Sequence, residues 1–318
     1  MKKVIFDTDI GIDDAMALLF LHHAPDVDLI AITTGFGNAS VSDTTRNALY
    51  MKELFNMSAA VYAGAAMPVG SALGEGYADF VHGKNGLGDI PLTTPMCEAE
   101  ATPAAEAIVE LVRANPHELS IVAVGRMTNL AMALALDPEL PSLIKELIVM
   151  GGVFGYNGHR GNVSPVAEAN IAGDPLAADR VFTSGIPTTI VGLDVTAETV
   201  MNEAYIDQLR QSAGASGDFI YQISRFYFGF YEKVIGKAEC PIHDASAVAY
   251  LLRPDLYRTV AAVVRVATEG IAMGQTIHDS TRRVFATDDW LDLPTCNVCV
   301  GVDAPAVMAL YLSTLSEL

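Results

Sequence analysis

Short apolar runs of strand length recur along the chain at residues 4–7, 29–33, 119–124, 147–150 and 188–193. Each is followed by a polar or glycine-rich loop and then by a helical pattern, at 13–23, 41–54, 129–137 and 175–182 among others. Runs that are apolar without alternation predict strands buried on both faces. Buried strands alternating with helices predict an α/β fold, Rossmann-like, with a largely parallel central sheet flanked by helices. No repeat, low-complexity tract or linker-like break interrupts the pattern, so residues 1–318 read as a single domain.

In such sheets ligands bind outside the carboxyl ends of the strands, which directs attention to the loops that follow them. Residues 9–14, 35–38, 125–129 and the long polar stretch ending at 162–170 are rich in Asp, Asn, Glu and Gly. The first is the most informative, because it holds Asp7, Asp9, Asp13 and Asp14 within eight residues. Acids in a first helical turn also complement the helix dipole. Four acids at one strand-to-helix turn, however, repel one another unless a cation, a proton or a polar ligand compensates them. Asp7 and Asp9 are expected on one face of the strand end, and all four carboxylates are expected to converge on one point.

Residues 202–237 read as mostly helical, with an aromatic cluster of Tyr221, Phe226, Tyr227, Phe228, Phe230 and Tyr231. Such spacing favours core or a subunit contact over a ligand wall, although a planar heterocycle would need such a wall. His243 and Asp244 stand just before an apolar helix at 248–252, where Asp244 alone reads as a helix cap. Cys296 and Cys299 lie three apart in a predicted strand, 295–300, so they face opposite ways. They and Cys97 and Cys240 read as buried core thiols rather than a metal or redox pair.

The composition narrows the partners. With 19 basic against 38 acidic residues the formal charge is −19, which excludes a nucleic-acid backbone as partner and suits a neutral or cationic small molecule. An apolar content of 51% allows a large core. No apolar run approaches the ~20 residues of a membrane span, and acids interrupt the apolar stretch after Met1-Lys2-Lys3. A cytoplasmic protein without membrane contact is expected.

Taken together, these residues resemble the inosine-uridine-preferring nucleoside hydrolases over nearly the whole chain. The family's D-x-D-P-G-x-D-D is matched by Asp7, Asp9, Gly11, Asp13 and Asp14, its G-N by Gly37-Asn38 and its H-G-x-x-G-L-G by residues 82–88. Its L-T-N, M-G-G, N-x-x-x-x-A-E-x-N and H-D segments are similar to residues 127–129, 150–152, 162–170 and 243–244. The resemblance implies hydrolysis of the N-glycosidic bond of a nucleoside or another N-riboside. It also implies a Ca²⁺ held by Asp9, Asp14, Asp244 and the Thr128 carbonyl, and Asp9 as general base. Asp13, Asn38 and Asn170 are implied partners of the ribose 2′- and 3′-hydroxyls, and Asn162 and Glu168 of the 5′-hydroxyl. His243 is implied to assist the leaving base, with His82 near it, and the assembly to be a homodimer or homotetramer.

Ile10, Arg126 and Ala169 depart from the family pattern, where Pro, Pro and an aromatic are usual. Arg126 places a cation near the implied metal-binding carbonyl, and Ala169 implies a remodelled wall over the ribose or base. Other readings stay open at this level: a phosphatase of the haloacid dehalogenase type, from the strand ending D-x-D; a calcium-dependent riboside binder without turnover; and a dinucleotide site, from Gly35-x-Gly37.

Overall fold

A computed structural model describes residues 1–70, 76–281 and 283–316. Eleven strands are present among them: β1 (Lys2–Thr8), β2 (Val27–Thr34), β3 (Ala60–Ala63), β4 (Leu119–Ala123), β5 (Glu146–Met150), β6 (Thr188–Val191), β7 (Val200–Asn202), β8 (Glu239–Pro241), β9 (Tyr257–Val266), β10 (Thr276–Asp279) and β11 (Thr295–Val302). Nine of them form one sheet in the order β10-β9-β11-β6-β5-β4-β1-β2-β3, and β7 pairs with β8 separately. Strands β1 to β6 run parallel, as does the β6–β11 pair, while β9 is antiparallel to β10 and β11.

Alternation along the buried strands divides the core between two faces. Val4 and Phe6 of β1 join one cluster with the helices Ile12–His23, Gly214–Ile235, His243–Leu252 and Ala304–Ser316. Ile5 joins the other, with Ala104–Ala114, Thr128–Leu136 and Pro175–Phe182. Both faces of the sheet are therefore covered, which is why its strands read as continuous apolar runs.

From β1 the chain builds outward through β2 and β3, then returns to place β4 on the other side of β1. That reversal opens a crevice at the carboxyl ends of β1 and β4, where doubly wound sheets bind ligands. Four of the predicted helices appear within two residues of their expected ends.

Several expectations change. The run predicted as a strand over 188–193 stops at Val191, because Gly192 leads into the short helix Leu193–Thr196. The helix expected from 248 begins at His243. Cys296 and Cys299 are buried on opposite faces of the sheet, in different clusters, whereas Cys97 is only half-buried and is not a core thiol. No helix among the described residues is long and apolar enough to cross a membrane.

Candidate active site

The crevice is lined with carboxylates that the fold delivers from distant positions. Asp9 follows β1, Asp13 and Asp14 open the helix Ile12–His23, and Asp244 lies in the first turn of His243–Leu252. All four are buried. Ligand oxygens of Asp13, Asp14 and Asp244 lie within 4.8 Å of one another. Asp7 does not join them: still inside β1, its Oδ1 accepts hydrogen bonds from Thr33 Oγ1 on β2 at 2.6 Å and from Asn129 Nδ2 at 2.9 Å. Of the four acids expected to converge from one turn, Asp13 and Asp14 do so together with Asp244, and Asp9 lies beside Asp14.

Asp14 organises the turn. Its carboxylate accepts from Thr8 Oγ1 at 2.5 Å, the Gly11 N–H at 2.9 Å and Asn38 Nδ2 at 2.8 Å. The backbone N–H of Asn38 donates to Asp9 Oδ2 at 2.8 Å, so the loop after β2 clasps Asp9 in the loop after β1 and Asp14 in the helix that follows it. A Cβ on Gly37 would lie 1.7 Å from Asp9 Oδ2, so only glycine lets this loop approach. Asp9 Oδ1 has no hydrogen-bond partner although it is buried, alone in this among the side-chain polar atoms of the described residues.

Burial raises the pKa of Asp9, and the charge of Asp14 raises it further, against the opposing influence of Arg126 and the Asn38 N–H. Asp13 is pushed up to about 7 by burial and then by Asp14. Asp244 is raised by burial and by the charges of Asp13, Asp14 and Asp9. Buried oxygen donors, with Asp9, Asp13 and Asp244 held against ionisation and one carboxylate oxygen orphaned, fit a hard divalent cation.

Of the remaining expected residues, Asn38 and Asn170 line the adjoining cavity, whereas Asn162, Glu168 and Thr128 do not. Asp9, Asn38 and Asn170 line a cavity of about 750 Å³, with Arg126, Ala169, Tyr77 and Phe80. Asn170 donates through Nδ2 to the carbonyls of Val124 and Met150, at 2.7 and 3.2 Å, which leaves its Oδ1 for a ligand. Glu168 is buried and accepts from the N–H groups of Gly152, Asn170 and Ile171. Asn162 is exposed and caps the Ala169 N–H at 3.0 Å. Thr128 opens its helix and donates its hydroxyl to Asp174 Oδ2 at 2.7 Å.

A profile of the inosine-uridine preferring nucleoside hydrolases matches residues 4–309. The chain belongs to this family. It is 38% identical over 309 residues to uridine nucleosidase 1 of Arabidopsis thaliana, covering 96% of this chain and 91% of that protein. A solved plant nucleoside hydrolase superposes with a TM-score of 0.95 at 35% identity, covering 100% of this chain and 99% of the other. A purine-preferring ribonucleoside hydrolase from Gardnerella vaginalis gives 0.91 at 34%, covering 99% and 98%.

The protein is thus an N-ribosyl hydrolase acting on the N-glycosidic bond of ribonucleosides, and the phosphatase and dinucleotide readings fall away. In this nucleoside hydrolase His82 and His243 are buried, and burial lowers each to about 4. His82 Nδ1 accepts from the Ile12 N–H at 3.1 Å, so that nitrogen carries no proton. Its 3.9 Å approach to Asp13 Oδ1 is therefore a contact of a neutral ring rather than an ion pair.

The aromatic cluster divides. Tyr227 donates to Asp13 Oδ2 at 3.2 Å and stacks on His82 at 5.8 Å, and the Tyr231 hydroxyl lies 3.1 Å from His243 Nε2. The sequence pattern alone assigns these two tyrosines to the core or a subunit contact. Their spacing of four on one helical face was the available signal, but it is shared with ordinary packing.

Proposed function

We propose that this nucleoside hydrolase uses a Ca²⁺ held by Asp9, Asp14, Asp244 and the Thr128 carbonyl to cleave ribonucleosides to ribose and free base. The unpartnered Asp9 Oδ1, set in a carboxylate cluster beside a ligand-sized cavity, carries this reading. When bound, such a cation supplies the charge that offsets the acids, polarises water and grips a vicinal diol.

The chain's own residues supply the rest. Asp9 Oδ2 is committed to the Asn38 N–H, leaving Oδ1 to take the proton of the attacking water as general base. Cleavage of the glycosidic bond develops oxocarbenium character on the sugar, which the surrounding carboxylates stabilise. Asp13, Asn38 and Asn170 bind the 2′- and 3′-hydroxyls, and Asn162 and Glu168 the 5′-hydroxyl. His243 assists the departing base through the Tyr231 hydroxyl held on its Nε2, and His82 lies near that base. Four free thiols support a cytoplasmic setting, and membership of the family supports a homodimer or homotetramer.

Similarity to a uridine nucleosidase makes uridine the first substrate to try, with inosine beside it. A panel of purine and pyrimidine ribosides, scored for free ribose with calcium and with a chelator, tests the reading. Calcium-dependent ribose release supports it, and release of ribose from no riboside in the panel overturns it.

A further inference from the structure

Arg126 stands where the family pattern has Pro, and its surroundings give it a use. Its half-buried side chain lines the cavity beside Asp9 and Asn170. The guanidinium lies over the Phe36 ring, 4.5 Å from its centroid. It also rests against Gly173, where a Cβ would come within 2.0 Å of Nε. Phe36 and the bare backbone of Gly173 thus form a slot that holds the guanidinium.

Held this way, Arg126 has no hydrogen bond and no ion pair among the described residues, although a guanidinium carries five N–H donors. Of the acids within electrostatic reach, Asp9, Asp174 and Glu168, the last two spend their oxygens on other donors, and the unpartnered Asp9 Oδ1 makes no hydrogen bond or ion pair with the guanidinium. Asp174 accepts from Thr128 Oγ1 and the N–H groups of Val69 and Ala177. Glu168 accepts three backbone N–H groups, and Asp9 Oδ2 accepts one. A fixed, partly desolvated cation with free donors facing a cavity lacks an acceptor, and the planar fork matches an oxyanion.

We propose that Arg126 forms a phosphate-binding subsite beside the sugar end of the cavity. The sugar end is indicated by the neighbours of Arg126, Asn170 and Glu168, to which the proposed function gives ribose hydroxyls. The histidines and tyrosines proposed for the base flank Asp13 and Asp244 instead. On a riboside, the anion carried at the sugar is a phosphate ester. The same subsite takes free inorganic phosphate, and the two sources are separable. The inference rests on the proposed function for the position of the sugar, but the binding of phosphate itself does not.

The test uses metal-replete full-length protein and isothermal titration with inorganic phosphate, uridine and uridine 5′-monophosphate. Phosphate binding is expected to weaken roughly tenfold or more in Arg126→Met. Arg126→Lys, which keeps the charge without the fork, and Gly173→Ala, which crowds the guanidinium out of its slot, are expected to fall between. If uridine 5′-monophosphate binds more tightly than uridine and Arg126→Met erases the difference, the substrate's own phosphate is the source. If only inorganic phosphate responds to the substitution, free phosphate is the source. Unchanged affinity for both phosphates in Arg126→Met and Arg126→Lys overturns the proposal. Uridine hydrolysis followed in parallel separates this failure from that of the proposed function. Should Arg126→Met not fold, the Lys and Gly173→Ala variants decide alone.

Discussion

The Tyr231 hydroxyl lies 3.1 Å from His243 Nε2, and Thr196 Oγ1 lies 2.8 Å from Nδ1 of the same ring. Both nitrogens are therefore engaged, in a ring that burial holds neutral by lowering its pKa to about 4. A neutral imidazole donates through one nitrogen only, and because a hydroxyl can donate or accept, these two contacts fix the aim of the ring. Tyr231→Phe is expected to lower kcat roughly tenfold or more for nucleosides whose base leaves poorly. A nitrophenyl riboside, whose leaving group needs no proton, is expected to lose much less. Equal losses for both, measured by ribose or nitrophenol release, would assign Tyr231 a packing role only.

Asp9→Ala removes the one orphaned carboxylate oxygen in the site. Turnover of uridine and inosine is expected to fall by roughly 10²–10⁴-fold, with the fold retained by circular dichroism. Hydrolysis at the parental rate would show that another group takes the proton from water.

Asp7 predicts a pH effect outside the proposed metal shell. Burial raises its carboxyl from 3.8 to about 6, against the lowering influence of Thr33 and Asn129. A raised pKa means that the folded state keeps a proton which the unfolded chain releases between these values. Stability from this group is complete below 3.8 and is lost as the pH rises through 6. Asp7→Asn, which keeps an acceptor and cannot ionise, is expected to gain in Tm relative to the parent between pH 4 and pH 6.5. A difference in Tm that stays flat across that range would contradict the assignment.

Asp174 joins three segments, through Thr128 Oγ1 at 2.7 Å, the Val69 N–H at 2.8 Å and the Ala177 N–H at 3.1 Å. Its removal leaves these donors unsatisfied and uncaps the helix Pro175–Phe182. Asp174→Ala is expected to cost about 2–4 kcal/mol in urea unfolding. A loss well under 1 kcal/mol would mean that water replaces the carboxylate.

Much of this was legible in the sequence. The strands buried on both faces stood out because nothing polar interrupts them, and the loops at their carboxyl ends carried Asp9, Asn38, Thr128 and Asn170 in readable motifs. β3, β9 and β10 are edge or antiparallel strands with exposed positions, and their patterns lacked that contrast. Asp7 was misjudged because strand alternation speaks for direction but not for partners, and Thr33 and Asn129 come from other elements. Arg126 was visible as a departure, but its slot depends on Phe36 and Gly173, brought together only by the fold.

The account depends on a cation seated among Asp9, Asp14 and Asp244. Its most direct test strips the protein with a chelator and then titrates it with calcium, following ion uptake by calorimetry and ribose release from uridine in the same samples. The expected result is one ion bound per chain, with hydrolysis absent in the stripped protein and returning in proportion to occupancy. Full hydrolysis by the stripped protein, or uptake unaltered in Asp14→Ala and Asp244→Ala, would contradict it.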